Sequence, residues 1–222
     1  MKKKLLSVLL IGTLILTVTG CGKSTESNNN NINGSNDSQV VDKVDSIKDN
    51  NIYYVMINGK KIKAGDKITT VESFELKIRD KDLEKTIPTN RYLLANPVLN
   101  ASGKEVISFV ALNDTDDTIN YKDAVIGGFQ VGDYNTSKVS EDTLALNVEI
   151  VGGIKLGSSV DDLHRVFGEE DFKHETEPST KVNRPGYTTY KYSSGSKGFE
   201  FIVDDSGKVS KIKWHNYNYN DK

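Results

Sequence analysis

The only cysteine of the chain, Cys21, lies just after a short apolar segment, and this placement limits what the rest can fold into. Lys2–Lys4 come first, and an apolar run over residues 5–16 follows. A basic start, a short apolar core and small residues before a cleavage point are typical of a secretory signal peptide. Because one cysteine cannot form a disulfide within the chain, the folded part must be stabilised by its hydrophobic core alone.

The residues Val18-Thr19-Gly20-Cys21 resemble the lipobox of bacterial lipoproteins. The resemblance implies that residues 1–20 are a lipoprotein signal peptide and that Cys21 carries a diacylglyceryl thioether. Two acyl chains hold a protein stably on a bilayer, whereas one chain gives reversible binding. We therefore expect attachment to the cell membrane, on its extracytoplasmic face, through the lipid on Cys21. The usage of Lys, Asn and Ile suggests a Gram-positive source.

Two other interpretations of the N-terminus stay open. An uncleaved membrane helix needs about 20 apolar residues, and this run is interrupted by Ser7 and Gly12. An ordinary secretory signal would leave Cys21 as a free thiol without a disulfide partner. A lipid acceptor explains a cysteine at this position better than either.

The charge of the processed chain narrows the classes of partner. Without Lys2–Lys4 it has 26 basic residues (29 less three) and 31 acidic ones, a net charge of about −5 with neutral histidines. A nucleic-acid-binding protein needs a basic face for the phosphates, so nucleic acid is not expected as a partner. A polybasic membrane-surface domain is not expected either.

Residues 21–50 are predicted to form a disordered tether. The segment from Lys23 to Asp49 is rich in Ser, Asn, Asp and Gly and has few large apolar side chains, so it cannot offset the entropy cost of folding. A flexible coil of about 30 residues has an end-to-end distance of roughly 30 Å. That length would hold a domain clear of the lipid headgroups.

The remaining residues predict an α+β fold in which an antiparallel sheet carries short helices packed on one face. About 170 residues suffice for one compact domain or two small ones, and we expect two tandem helix-plus-three-strand units, residues 51–135 and 145–222. In the first unit the elements are a hairpin with strands Ile52–Ile57 and Lys60–Lys63, a short helix Thr69–Phe74 with Thr69 as N-cap, and strands at Tyr92–Leu99, Glu105–Leu112 and Thr118–Val131. In the second they are a strand Leu146–Val151, a helix Ser158–Gly168 capped by its serines, a charged loop, and strands Tyr187–Tyr192, Gly198–Val203 and Lys208–Tyr217.

The second unit carries a family resemblance. The segments Ile154–Leu163, Phe167-Gly168, Tyr190–Tyr192 and Phe199–Val209 are similar to those of the β-lactamase-inhibitor-protein-like (BLIP-like) superfamily. The resemblance covers about the last third of the chain. It implies a helical layer on an antiparallel sheet, with the sheet face used for binding rather than catalysis.

Period-2 alternation along the last three strands separates two faces. Tyr190, Tyr192, Phe199, Phe201, Val203, Ile212 and Trp214 are predicted to point at the helices. The opposite face has Thr189 together with the predicted partner-binding residues Lys191, Glu200, Lys211, Lys213, His215 and Tyr217. Aromatic and positive side chains are typical interface anchors. An ordinary solvated face is the alternative, since antiparallel sheets commonly face water on one side.

The sequence predicts no catalytic residue, cofactor or metal site. His174-Glu175 starts like a zinc-protease helix, but Pro178 stands where the second histidine must be. Asp114, Asp116 and Asp117 lack the glycine and the distant glutamate of a calcium loop.

The predicted function is that of a non-enzymatic, membrane-anchored lipoprotein that binds an envelope or secreted protein. A small-ligand-binding lipoprotein is an alternative, although hinged receptors with two lobes are usually larger. A cell-wall hydrolase is a weaker alternative, since no acid and base stand out as a pair.

Overall fold

A computed structural model describes residues 43–169 and 179–217 of the chain. Several predictions fall outside these residues: the signal peptide at 1–20, the lipid attachment site Cys21, and the segment His174–Pro178. The predicted tether also lies outside, apart from residues 43–50.

Strands and short helices alternate along the described chain. The strands are β1 (Tyr54–Ile57), β2 (Lys60–Lys63), β3 (Lys77–Ile78), β4 (Thr86–Ile87), β5 (Tyr92–Leu99), β6 (Glu105–Leu112), β7 (Ile119–Asn120), β8 (Val125–Gly132), β9 (Ser179–Arg184), β10 (Tyr187–Ser194), β11 (Lys197–Asp204) and β12 (Val209–Asn216). The α-helices are α1 (Asp80–Leu83), α2 (Glu141–Leu144) and α3 (Val160–Phe167), and 3-10 helices span Asn50–Ile52, Ile68–Phe74, Tyr121–Asp123, Thr136–Lys138 and Val151–Gly153. This is an α+β fold built mainly on antiparallel strands, as the sequence predicts.

The main sheet has eight antiparallel strands in the order β3-β5-β6-β8-β12-β11-β10-β9. Its centre is the pair of β8 and β12, joined from Lys211↔Gly132 to His215↔Gly128. Strands of both predicted units therefore belong to one sheet, with the last long strand of each half at the middle. The hairpin β1-β2 and the pair β4-β7 are separate two-stranded sheets.

One face of the main sheet is buried under the hairpin and helix α3. The ring of Tyr53 stacks on Phe199 with a centroid distance of 5.0 Å and meets the edge of Trp214 at 5.9 Å. Phe167 of α3 packs on Phe201 at 5.2 Å. The predicted alternation is confirmed, because the residues that it turns toward the helices are all buried: Tyr190, Tyr192, Phe199, Phe201, Val203, Ile212 and Trp214.

Helix α3 forms where its sequence predicts. The hydroxyl of Ser159 accepts from the backbone N–H of Asp162, and the Asp162 carboxylate accepts from the backbone N–H of Ser159 at 2.8 Å. This capping box satisfies two backbone donors of the first turn. The hydrogen bonds from Ser159 also lower the pKa of Asp162. Gly168 ends the helix, and Leu163 and Val166 are buried against the core.

Three predicted elements are corrected. The 3-10 helix Ile68–Phe74 begins after Lys67 without a side-chain cap, so Thr69 is not its N-cap. The segment 146–151 is not a strand of a sheet; its described pairing consists of isolated bridges, from Glu149 to Met56 and to Lys155. The predicted strand 118–131 is divided into β7 and β8 by the 3-10 helix Tyr121–Asp123, in which Tyr121 is buried.

Two further corrections concern segments predicted to lack structure. Strand β9 lies in the segment predicted as a charged loop and pairs with β10 from Tyr187↔Arg184 to Tyr192↔Ser179. Val44 and Ile47 are buried in the core, and the Val44 N–H donates to the carbonyl of Val166 at 2.8 Å. The folded part therefore begins no later than Val44, and the tether boundary at residue 50 is wrong. Among the described residues, no helix has the length and hydrophobicity to cross a bilayer.

Candidate interaction face of the sheet

The side chains that alternate with the core residues form the opposite face of the main sheet, which we call the open face. In β6 this alternation is visible as half-buried Ser108, Val110 and Leu112 between buried Ile107, Phe109 and Ala111. Strand pairing places these residues together on the open face: Pro97, Ser108, Val110, Gly128, Gln130, Lys211, Lys213, His215, Glu200, Ile202, Tyr187, Thr189, Lys191, Thr180 and Val182.

One row of residues crosses the middle of the open face. It spans five strands and consists of four neighbouring pairs: Lys191↔Glu200, Glu200↔Lys213, Lys213↔Gln130 and Gln130↔Ser108. Residues directly opposite each other on neighbouring strands have Cβ atoms about 4.5–5.5 Å apart. The structure therefore brings the predicted residues Lys191, Glu200 and Lys213 together and extends their row into the first half of the sheet.

Glu200 is the acidic member of this row and pairs with both of its lysine neighbours. The Lys213 Nζ lies 2.7 Å from one carboxylate oxygen, and the Lys191 Nζ lies 3.2 Å from the other. Burial alone would raise the pKa of Glu200, but the hydrogen bonds and charges of Lys213 and Lys191 outweigh it, and the pKa is lowered. The row therefore has one more positive charge than negative charges.

Lys211 lies on the open face but is buried, with 8 % of its surface exposed. Its Nζ lies 4.6 Å from the ring centroid of Tyr134, and that ring lies 5.1 Å from the ring of Tyr187. Burial lowers the pKa of Lys211, and repulsion from Lys213 lowers it further. A partner on this face would meet Tyr134 and Tyr187 before the ammonium of Lys211. Thr189, next to this cluster, is also buried.

His215 and Tyr217 lie at the other end of the open face. His215 is flanked by two glycines, Gly198 on β11 and Gly128 on β8. Burial lowers the pKa of its imidazole, so the neutral form dominates at pH 7. The Tyr217 ring lies 4.8 Å from Tyr92 and 5.7 Å from His215. Burial raises the pKa of Tyr217 to about 12.

The sequence prediction missed the part of this face that the first half supplies. Gln130, Ser108, Pro97 and Tyr134 belong to it, and none of them was a candidate. The alternation Ser108, Val110, Leu112 is a signal that marks one face of β6. The pairing of β8 with β12, which joins this face to Lys213, has no local signal.

Asn113 organises the loop that holds Asp114, Asp116 and Asp117, since its carboxamide oxygen accepts from the Thr115 N–H at 2.9 Å. Among the described residues, no group of three or more His, Cys, Asp or Glu side chains is placed to hold a metal ion.

Comparison of the chain with protein-family models, with curated proteins and with solved structures found no match. The resemblances to a lipobox and to the BLIP-like superfamily therefore stay predictions.

Proposed function

We propose that this chain is a lipid-anchored extracytoplasmic protein whose open face binds another envelope or secreted protein, and that it does so without catalysing a reaction. The observation that carries the proposal is the row from Lys191 to Ser108. It runs across five strands and is partly exposed, on a face that the hairpin β1-β2 and helix α3 leave uncovered. Aromatic side chains flank the row on both sides.

The size of the open face supports docking of a folded partner. Seven strands about 4.8 Å apart, each contributing about six residues at about 3.3 Å, make a surface of roughly 30 by 20 Å. A stable interface buries about 800 Å² on each partner. The area of the open face together with its rim is of this order.

The position of Val44, near the start of the described chain, supports docking on the open face. Val44 is held beside Val166 of helix α3, on the helical side of the sheet. The described chain therefore starts on the side of the sheet away from the open face.

Photo-crosslinking in intact cells tests the docking role. A photoreactive amino acid is placed at Lys191 on the open face or, as a control, at exposed Lys60 in the hairpin on the helical side. We expect a discrete crosslinked protein from position 191 and not from position 60. Crosslinks that are absent at both positions, or identical at both, would contradict the proposal.

Mass spectrometry of the native protein tests the anchor. We expect a mature chain that begins at Cys21 and carries two acyl chains, and a Cys21→Ser variant that lacks them. A native chain that retains residues 1–20, or that begins at an unmodified Cys21, would remove the lipid anchor from the proposal.

A further inference from the structure

A groove of about 340 Å³ opens beside the central row of the open face. The pairing of strands β6 and β8 ends at Ser108↔Gln130, next to the groove. The segment 138–143 forms the other wall of the groove. The Thr143 hydroxyl holds this wall in place by donating to the carbonyl of Val106 at 3.0 Å. The volume is at the lower end of the range for ligand sites.

Several polar groups of the groove are already engaged. The Glu105 carboxylate accepts from Arg79 at 2.9 Å. One oxygen of Asp133 accepts from the backbone N–H of Tyr134 at 2.6 Å. The hydroxyls of Ser140 and Thr143 bond to each other at 2.9 Å.

Three polar side chains at the groove make no hydrogen bond or ion pair within the described part of the chain: Ser108, Gln130 and Lys138. Ser108 and Gln130 face each other across β6 and β8, and Lys138 lies on the opposite wall. The hydroxyl, the carboxamide and the ammonium together offer several hydrogen-bond donors. Lys213, the row neighbour of Gln130, adds a positive charge nearby.

Three charged side chains line the groove: Glu105, Asp133 and Lys138. Arg79 pairs with Glu105, and the charge of Asp133 interacts with that of Lys211. In the neighbouring row, two lysines neutralise Glu200. Lys138 has no acidic partner among the described residues. The unpaired ammonium of Lys138 therefore favours an anionic occupant, and an acidic segment of a partner protein supplies one.

We propose that this groove binds the carboxylate of an Asp or Glu side chain from an acidic segment of the partner protein. Lys138 supplies the counter-charge, and Gln130 and Ser108 donate hydrogen bonds to the carboxylate oxygens. The inference rests on the proposed function, because it names the chemistry that the docked partner presents. Charge-assisted hydrogen bonds of this kind are roughly twice as strong as neutral ones.

Binding of labelled peptides to the lipidated protein in detergent micelles tests this inference. The probes are Gly/Ser peptides with three Glu residues, with three Gln residues, or with three Lys residues. We expect the Glu peptide to bind at least tenfold more tightly than the Gln peptide, with added salt reducing the difference. Lys138→Ala should weaken the Glu peptide about tenfold and Gln130→Ala about threefold, whereas Lys138→Arg retains most of the binding. Lys60→Ala, an exposed lysine outside the groove, should leave it unchanged.

Equal binding of the Glu and Gln peptides would overturn the inference, and so would a Lys138→Ala variant that binds like the wild type. Matching melting temperatures of all variants exclude misfolding as the cause of a loss. Vesicles with anionic phosphatidylglycerol are tested in parallel. If Lys138→Ala reduces vesicle binding but not Glu-peptide binding, the groove recognises lipid headgroups and the inference is wrong. If position 191 crosslinks to a partner but no peptide binding depends on the groove, the proposed docking role stands. Only the inference that the groove binds a carboxylate is then wrong.

Discussion

Strands β11 and β12 have very different surroundings on their two faces. On one face Phe199, Phe201 and Trp214 are almost fully buried and pack on Tyr53 and Phe167. On the other face, the residues that alternate with them include Glu200 and Lys213, and Glu200 forms partly exposed ion pairs with Lys213 and Lys191. The free energy of folding therefore depends mainly on the first face, whereas the partly exposed residues of the second face, such as Lys191, can change at little cost in stability. We place the proposed binding role on the second face for this reason.

The largest effect is expected on the core face, from Trp214→Ala. Trp214 is 1 % exposed and contacts the rings of Tyr53 and Phe129. Truncation of a buried aromatic side chain leaves a cavity and lowers the free energy of unfolding by about 3–5 kcal/mol. Urea unfolding measures this loss. A loss below about 1 kcal/mol would mean that this face is not the core.

Asp204, at the end of β11, should give the next largest effect. Its carboxylate accepts from the backbone N–H groups of Thr136 and Ser206, each at 3.0 Å, and so joins the turn to the segment that leads to the groove. Asp204→Ala should lower the free energy of unfolding by about 2 kcal/mol, since hydrogen bonds to a charged group contribute about 1.5–3 kcal/mol.

The effect of Asp204 depends on pH in a defined direction. Burial alone would raise its pKa, but the hydrogen bonds from Ser206 and Thr136 outweigh burial and hold the pKa well below its usual range. The stabilisation is therefore complete above the unfolded pKa of about 3.9 and is lost as the pH falls toward the folded pKa. The wild type and Asp204→Ala should differ at pH 7 and converge below pH 4. A difference that grows on acidification would contradict the assignment.

Gly128→Ala tests the close approach of β8 to its neighbours β6 and β12 on the open face. A Cβ at this position would lie 2.8 Å from Cγ2 of Val110 and 3.0 Å from the carbonyl oxygen of Trp214. We expect a loss of about 1–2 kcal/mol from this overpacking, measured by thermal unfolding. The double variant with Val110→Ala should recover part of it, because the nearest clashing atom is removed. A Gly128→Ala variant as stable as the wild type would show that Val110 and the Trp214 carbonyl are not packed closely against Gly128.

The smallest effect on stability is expected from Lys191→Ala on the open face. Its ion pair with Glu200 is solvent-exposed on the lysine side, with 46 % of that side chain accessible. Such pairs contribute about 0–1 kcal/mol, so the free energy of unfolding should change by less than about 0.5 kcal/mol. Partner capture should nevertheless fall. Unchanged capture together with unchanged stability would remove Lys191 from the docking surface.

Local patterns predicted the parts of the molecule that depend on local physics. The alternation in β10, β11 and β12 assigned both faces correctly, since each residue's side follows from its neighbours. The capping box of α3 was also readable, because Ser159 and Asp162 are three residues apart. The α+β class follows from these elements.

The remaining features depend on contacts between distant segments. The pairing of β8 with β12 joins residues 79 to 87 positions apart, and no local pattern specifies its register. Val44 and Ile47 are apolar residues among Asp, Ser and Lys, so their segment looks like linker until helix α3 covers it. The groove with Ser108, Gln130 and Lys138 was missed for the same reason.

Labelling of an introduced cysteine compares the two faces most directly. Cysteine is introduced at Lys191 on the open face or at Lys60 on the helical side, and a membrane-impermeant maleimide is applied to intact cells and to purified protein. Both positions should react at similar rates in the purified protein, because both lysines are exposed. In intact cells, position 60 should react and position 191 should react several-fold more slowly, because a partner covers the open face. Equal rates at the two positions in intact cells would contradict the account.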